Sequence, residues 1–468
     1  MIATIIKAIG VFALTYFVIL HVYVLGIGIW SGRALRRSHH VQRFGRVREM
    51  LSSRTAPPVS IVIPAYNEAV GIVDSIRSMS IVAYPRFEIV IANDGSSDDT
   101  LSLLIEAFGL QQVRIPYRPD IATKPVEAIY RGKAGVEITV VDKENGGRAD
   151  ALNAGINAAR YPYVLCTDAD VVLDANCLVK AMQRVVEDRE RTIAVGGNIR
   201  PINGSKVRLG HLVESHVPRG LIARMQVLEY LRTFIAARPG WSSINALPNV
   251  SGAFGIWKRA SVLAVGGFTE GHMGEDMDLT VRLHMFHIEN NIPYRIVYEP
   301  SAVIWTEVPP TRRVLKRQRI RWHRGLMTTV SDFKPIVFRR RYGTLGMLTW
   351  PAYVLFEYLA PIIEVLGYIV VPTGILMGIL SPKAVVLVIA LAFGMGILNS
   401  LMAILLDESF GYSNSIVDTS RLVVMALIEN LGFHQMTVIW RVRAMFGGRS
   451  VKTWGNMERR GVAQLSGS

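Results

Sequence analysis

Long apolar runs at both ends of this sequence bracket a stretch of ordinary polarity, and that contrast limits what the chain can become. Residues 8–30 are apolar almost throughout, interrupted only by His21, and are long enough to cross a hydrocarbon core of about 30 Å. A second apolar block runs from Leu345 to Leu380, broken by Pro351, Pro361 and Pro372, and a third, Ala384–Leu406, reads as a single span. The stretch 421–440 is apolar but carries Arg421, Glu429, His434 and Gln435. It is either an interfacial helix or a span that faces protein. Half of the 468 residues are apolar and the mean hydropathy is +0.29, which is unusual for a soluble enzyme of this size.

The charge pattern fits the same reading. The formal net charge is +15, but it is not spread evenly. Residues 33–54, 311–341 and 441–460 together hold 24 of the 52 Lys/Arg and only 3 of the 37 Asp/Glu, which leaves the rest of the chain at −6. Each cluster adjoins an apolar stretch, as basic cytoplasmic flanks do. No zinc-finger spacing, RRM signature or basic-aromatic interleaving accompanies the charge, so no nucleic-acid partner is expected. Cys166 and Cys177 are the only cysteines and cannot build a disulfide framework.

The flanking charges orient the chain. Arg33, Arg36 and Arg37 follow the first apolar run, which argues for an uncleaved anchor rather than a signal peptide. We therefore expect a multi-pass protein of the plasma (inner) membrane, with its N-terminus outside and residues 33–345 cytoplasmic. The basic tail after Arg441 should also be cytoplasmic, which requires an even number of C-terminal crossings, two or four. The loop 407–420, acidic and without Lys/Arg, mildly favours four. The expected layout is an anchor at 1–32, a basic juxtamembrane linker at 33–56 and a cytoplasmic domain at 57–310. Basic interfacial helices follow at 311–344, then membrane and interfacial helices at 345–440, and a basic tail at 441–468.

The central segment has an α/β rhythm. Val59–Ile63, Phe87–Ala92, Ile138–Val141, Tyr163–Thr167 and Ile193–Asn198 are short β-branched runs that end in turn chemistry and lead into helical patterns. That alternation predicts an α/β domain with a mostly parallel sheet covered on both faces. Ligands of such sheets bind at the carboxyl ends of the strands, which here carry Pro64–Glu68, Asn93–Ser96 and Thr167–Asp170. No Walker A motif or G-x-G-x-x-G fingerprint is present.

Five groups of residues could carry chemistry. Asp94-Gly95-Ser96 ends a strand with Asp98 and Asp99 placed to cap the next helix, and a plain turn with an N-cap accounts for it as well as a ligand does. Asp168-Ala169-Asp170 clusters two carboxylates after an apolar strand. The pair is either a loop accident or a site for Mg²⁺ or Mn²⁺, hard cations that complete their shell with substrate phosphates. Asn145–Asn153 is a Gly-rich turn opening a helix with Arg148 at its start, suited to a phosphate or to nothing more than a turn. Gly274-Glu275-Asp276 opens another helix. Capping explains one carboxylate but not Glu275, Asp276 and Asp278 together, and a general base is the alternative. On that helix His284 and His287 read as packing residues. Gln318-Arg319-Ile320-Arg321-Trp322 suits a membrane-surface helix, and equally a sugar ring and a diphosphate.

These motifs, in this order and between these spans, resemble the membrane-embedded glycosyltransferases of family 2, with their D, D-x-D, [TG]-E-D and Q-x-x-R-W motifs. The group includes the synthases of cellulose, hyaluronan, chitin and poly-N-acetylglucosamine. The similarity covers roughly Val59–Arg324. It implies a GT-A fold, a UDP-sugar donor, a divalent metal and inversion at the anomeric carbon. By position, Tyr66, Glu68 and Asp94 would hold the uridine and Arg148 would approach the diphosphate. Asp168 and Asp170 would bind the metal, with Asp168 also near the donor. Asp276 would be the general base, with Glu275 beside it. Gln318 and Arg321 would grip the pyrophosphate, Trp322 would floor the acceptor site, and Ser251, Gly252 and Phe254 would seat the acceptor sugar.

The resemblance implies a processive enzyme that makes a β-linked polysaccharide, from UDP-GlcNAc first and UDP-glucose next, and passes it into the bilayer. Its partners are then the donor, a growing glycan or lipid acceptor, and the lipid itself. Two alternatives stand beside it: transfer of one sugar to a membrane lipid, as in ceramide glucosyltransferases, and a non-catalytic membrane subunit or transporter. Gly274 departs from the Thr of the cellulose enzymes. With 28 residues after Trp440, an attached cyclic-dinucleotide regulatory domain is not expected.

Overall fold

The computed structural model describes residues 1–44, 56–114, 117, 119–208, 211–409 and 415–446. Most of the expected basic linker (45–55), most of the basic tail (447–468) and the middle of the acidic loop (410–414) lie outside the described residues. The described chain forms two compact units, one from residues of Ser38–Pro218 and Asn245–Val308, the other from Met1–Arg37, Arg219–Ile244 and the chain from Pro309 onward. No sequence signal had set residues 219–244 apart from the rest of the central segment.

The first unit is built on twelve strands. They are β1 (Val59–Ala65), β2 (Phe87–Asp94), β3 (Gln111–Gln112), β4 (Val126–Ala134), β5 (Val136–Lys143), β6 (Tyr163–Thr167), β7 (Val172–Leu173), β8 (Thr192–Pro201), β9 (Lys206–Arg208), β10 (His211–Glu214), β11 (Phe254–Lys258) and β12 (Arg295–Thr306). Ten form one sheet in the order β3-β4-β5-β2-β1-β6-β11-β8-β12-β7, and β9 pairs with β10 separately. The five strands legible in the sequence are β1, β2, β5, β6 and β8, and all run the same way. β5, β2, β1 and β6 pair in parallel, while β8 is separated from β6 by β11, antiparallel to both.

The sheet is mixed, with seven of its ten strands running the same way. The strands that run against the rest are β4, which returns to β5 through Gly135 at φ +76°, β11, and the short β7 at one end; β3 at the other end is antiparallel to β4 and so runs with the majority. A single left-handed residue can reverse the chain at Gly135 because glycine carries no Cβ to clash.

β1, β2, β6 and β8 are buried along almost their whole length, the pattern of strands covered on both faces. The Arg148–Ala158 helix packs on β1 and β2, and the Cys177–Glu187 helix on β8 and β12. The first helix comes so close that a Cβ at Gly155 would lie 2.4 Å from Val62 Cγ1. Leu152 and Ile156 on this helix, and Val62 and Leu165 on the sheet, have no exposed surface. Truncating any one of them to Ala should cost about 2–5 kcal/mol. The result is that the carboxyl ends of β1, β2 and β6 lie side by side on a rigid base.

The second unit is helical. The segments Ala3–Arg37 and Pro382–Glu408 are long and apolar enough to cross a membrane, each holding an 18-residue stretch of high mean hydropathy, 2.2 and 2.3. Two bent pairs qualify only if each pair counts as one span: Leu345–Tyr358 with Ala360–Leu376, bent by 43°, and Ile416–Ile428 with Phe433–Phe446, bent by 62°. Pro351 and Pro372 lie inside helices, and the break falls at Leu359, just before Pro361. Two ionisable groups at this last pair, Glu429 and His434, have charged or polar partners. Glu429 pairs with Arg232 and accepts from Ser400 Oγ at 2.6 Å, while His434 Nε2 lies 2.8 Å from Glu364. Such pairing is what apolar surroundings demand of charged groups. These spans make the chain a membrane protein.

Candidate active site

Three loops at the carboxyl ends of β1, β2 and β5 are stitched together by side-chain bonds to backbone. After β1, Asn67 turns at φ +54°. Its N–H donates to Ser96 Oγ at 3.0 Å, and its Oδ1 accepts from Ser97 N at 2.8 Å. Glu68 N donates to Thr100 Oγ1 and Ala69 N to Asp98. Asp98 also accepts from Thr100 N and Oγ1, so Asp98, and not Asp99, fastens the start of the Thr100–Phe108 helix. Tyr66 stands 47% exposed above this junction, and Glu68 is half-buried in it.

Asp94 departs from the expected uridine contact. It is buried, and its carboxylate accepts from Lys143 Nζ at 2.8 Å, Gly146 N at 2.9 Å and Gly147 N at 2.7 Å. Register explains the first of these, because Asp94 lies directly across from Lys143 in the β2–β5 pair. Lys143 is fully buried and also pairs with Asp150. With both oxygens engaged, Asp94 organises the Asn145–Arg148 turn. Lys143 went unnoticed in the sequence, where its only mark is a Lys ending an apolar strand run.

The turn delivers Arg148. Gly147 sits at φ +89°, ψ 173°, a region essentially restricted to glycine, and the helix begins at the next residue. The Arg148 side chain is 7% exposed and spends its donors on three elements. Nε and Nη2 donate to Asp168 Oδ1 at 3.0 and 2.8 Å, Nη2 donates to the Gly252 carbonyl at 2.8 Å, and Nη1 donates to Glu275. Burial works against the guanidinium charge, but Asp168 and Glu275 outweigh it and hold Arg148 further above its usual range. Burial raises the Glu275 carboxyl against the pull of Arg148, and the neighbouring Asp276 adds to the rise.

Asp168 directly follows β6 with its side chain 28% exposed, and Asp170 is half-buried. Among the described residues, no group of three or more His, Cys, Asp or Glu is spaced to hold a metal. Asp276 lies in the first turn of the Glu275–Glu289 helix. Its Oδ2 accepts from Gly252 N at 2.9 Å and its Oδ1 from its neighbour Met277 N at 2.8 Å. Gly252 is thus held from both sides, its carbonyl by Arg148 and its N–H by Asp276. Ser251 is half-buried beside it. Phe254 differs from the expected acceptor contact. Its ring is fully buried in β11, where Gly197 leaves it room, so it can only support the loop.

His284 and His287 are packing residues. His284 bridges Tyr294 OH at 2.8 Å and the Leu247 carbonyl at 2.9 Å, and burial lowers its pKa to about 4.

The Q-x-x-R-W residues belong to the helical unit, on the Arg312–Asp332 helix. Gln318, Arg321 and Trp322 are spaced i, i+3, i+4 and share a face. Trp322 is 42% exposed, and the Arg319 guanidinium stacks on its ring 4.5 Å from the centroid while pairing with Glu229. Gln318 Oε1 is buried without a hydrogen-bond partner among the described residues.

The profile of glycosyl transferase family group 2 matches residues 163–397, half of the chain, and that of glycosyl transferase family 2 matches residues 60–242. The chain belongs to the family 2 glycosyltransferases. This glycosyltransferase is 29% identical over 314 residues to a poly-beta-1,6-N-acetyl-D-glucosamine synthase of Staphylococcus epidermidis, covering 64% of each protein. It is 29% identical over 309 residues to the synthase of that name in Staphylococcus aureus strain COL, covering 66% of this chain and 62% of that one. It therefore spans just under two thirds of the length of these relatives. Among solved structures, the mannosyltransferase PcManGT from Pyrobaculum calidifontis, in complex with GDP-Man and Mn²⁺, aligns with a TM-score of 0.53 at 18% identity. That alignment covers 90% of this chain and 99% of the other, and it identifies the fold as GT-A.

Proposed function

We propose that this glycosyltransferase joins sugars from a UDP-sugar, UDP-GlcNAc first and UDP-glucose next, into a β-linked polysaccharide, processively and with inversion. The observation that carries the reading is the convergence of Asp276, Gly252, Arg148 and Asp168 in one hydrogen-bonded set beside the strand ends. Similarity to the staphylococcal poly-N-acetylglucosamine synthases supports the choice of sugar and polymer.

In this reading Asp276 is the general base. Both of its oxygens accept backbone N–H bonds, which fix the carboxylate so that it can take a proton from an acceptor hydroxyl without first reorienting. The hydroxyl oxygen then bonds to the anomeric carbon from the face opposite the nucleotide. The bond from that carbon to the diphosphate breaks, and its electron pair leaves with the nucleoside diphosphate.

Asp168 and Asp170 fit a hard divalent cation, Mg²⁺ or Mn²⁺. Asp168 Oδ1 already accepts two bonds from a guanidinium, and two carboxylates with phosphate oxygens are a usual ligand set for such ions. When bound, the cation would offset the charge developing on the leaving diphosphate. Gln318 and Arg321 would bind the pyrophosphate and Trp322 would stack on the acceptor sugar. The sheet domain would lie on the cytoplasmic side, with the N-terminus outside and the growing chain entering the membrane between the helices.

Purified protein in lipid nanodiscs, given radiolabelled UDP-GlcNAc with Mg²⁺ or Mn²⁺, should form glycosidase-sensitive material of high molecular weight. A product that remains lipid-extractable and one sugar larger than its acceptor would overturn the polymer reading.

A further inference from the structure

Arg148 joins two groups that a cation–diphosphate complex would need separately. Its fork closes on Asp168 Oδ1 through Nε and Nη2, while Nη1 reaches Glu275 and Nη2 also reaches the Gly252 carbonyl. The cation of such a complex requires Asp168, and the phosphate oxygens favour a guanidinium. A cation that takes Asp168 Oδ1, and a phosphate that takes the donors now closed on it, would each displace one half of this pair.

The same guanidinium also holds the acceptor loop. The Gly252 carbonyl accepts from Arg148, and the Gly252 N–H donates to Asp276. The side chain is almost fully enclosed, and a Cβ at Gly252 would lie only 3.1 Å from its Nη1 and Nη2. Movement of Arg148 away from this position would take a hydrogen bond from the Gly252 carbonyl.

We infer that Arg148 is a positioning residue that couples the donor to the acceptor loop, in that dividing the Arg148–Asp168 pair frees the Gly252 carbonyl. The inference rests on the function proposed above. Donor loading transfers Asp168 to the cation and Arg148 to the diphosphate, and the acceptor loop keeps only its bond to Asp276. Two consequences follow. Cation and nucleotide bind synergistically, because each releases the group that the other needs. The acceptor loop loosens only once the donor is in place, which orders binding as donor first and acceptor second. Glu275 keeps a second charge beside the guanidinium, so Arg148 remains close to the site while it exchanges partners.

The test titrates Mn²⁺ into the full-length protein in nanodiscs, following free Mn²⁺ by electron paramagnetic resonance, with and without UDP. It uses wild type, Arg148→Met and Arg148→Lys, each checked for an unchanged melting profile. Wild type should bind Mn²⁺ weakly alone and about tenfold or more tightly with UDP. Arg148→Met should bind Mn²⁺ alone about tenfold more tightly than wild type, and UDP should then add less than threefold. Arg148→Lys keeps the charge without the fork and should fall between them, which keeps the test decisive if the Met variant does not fold. Hydrogen exchange over residues 251–254 should rise in wild type on adding Mn²⁺ with UDP, and should already be raised in Arg148→Met.

Unchanged or weaker Mn²⁺ binding in both variants, with the synergy intact, would overturn the inference and leave the proposed function standing. Failure of wild type to bind Mn²⁺ and UDP together would instead overturn the proposed function.

Discussion

Replacing Lys143 with Met would remove the cation that pairs with two buried carboxylates, Asp94 and Asp150. Lys143 has no exposed surface, and Asp94 and Asp150 are 4% and 2% exposed at the side chain. Their remaining partners are backbone amides: Gly146 N and Gly147 N on Asp94, and Lys124 N on Asp150. Breaking a buried pair by removing one partner typically costs about 3–5 kcal/mol, because the other charge is left uncompensated. Here two charges are stranded, partly offset by three amides, so a loss of about 4 kcal/mol is a fair central value.

The damage should also reach the site, because Asp94 holds the turn from which Arg148 projects. We expect Lys143→Met to melt well below wild type in nanodiscs and to lose donor affinity. The triple variant Lys143→Met with Asp94→Asn and Asp150→Asn should recover most of the stability but little of the donor binding. Melting of Lys143→Met within a degree or two of wild type would refute the reasoning, as would full donor binding by the triple variant.

Two further predictions concern the same domain. Gly147→Ala forces a Cβ into a backbone region that only glycine occupies readily; with nothing within 4 Å to clash, the fold should survive while donor KM rises at least tenfold. Loss of folded protein without any change in KM would contradict this. His284, with a folded pKa of about 4, lies below the ordinary value near 6.5, so the unfolded chain binds the extra proton first as pH falls. Stability is complete above pH 6.5 and is lost progressively down to about pH 4, by on the order of 3 kcal/mol. His284→Gln, which can still donate to Leu247 O, should flatten that part of the melting-against-pH curve, and an unchanged slope would count against the assignment.

The strands that the sequence revealed are those buried on both faces, where continuous apolar runs stand out. β4 is half exposed and polar, β12 carries Pro300 within it, and β11 follows a long excursion through the helical unit. Their signals were weak, and with β4 and β11 went most of the antiparallel part of the sheet. The candidate site was legible as separate motifs because each sits in its own turn. Its wiring was not. Arg148 and Glu275 are 127 residues apart, and Arg148 and Gly252 are 104 apart. Lys143 meets Asp94 only because β2 and β5 pair in that register. Asp94 and Phe254 stand in motifs that the resemblance gives to ligands, whereas burial places both behind the surface and hydrogen bonds engage Asp94 there.

The role of Asp276 is tested most directly by comparing donor binding with turnover in Asp276→Asn. The Asn side chain is nearly isosteric and can still accept from one of the two amides, so UDP and Mn²⁺ affinity should stay within about threefold of wild type. Sugar transfer should fall by about 10²–10⁴, the usual contribution of a positioned base. Transfer within tenfold of wild type, with donor binding intact, would contradict the account.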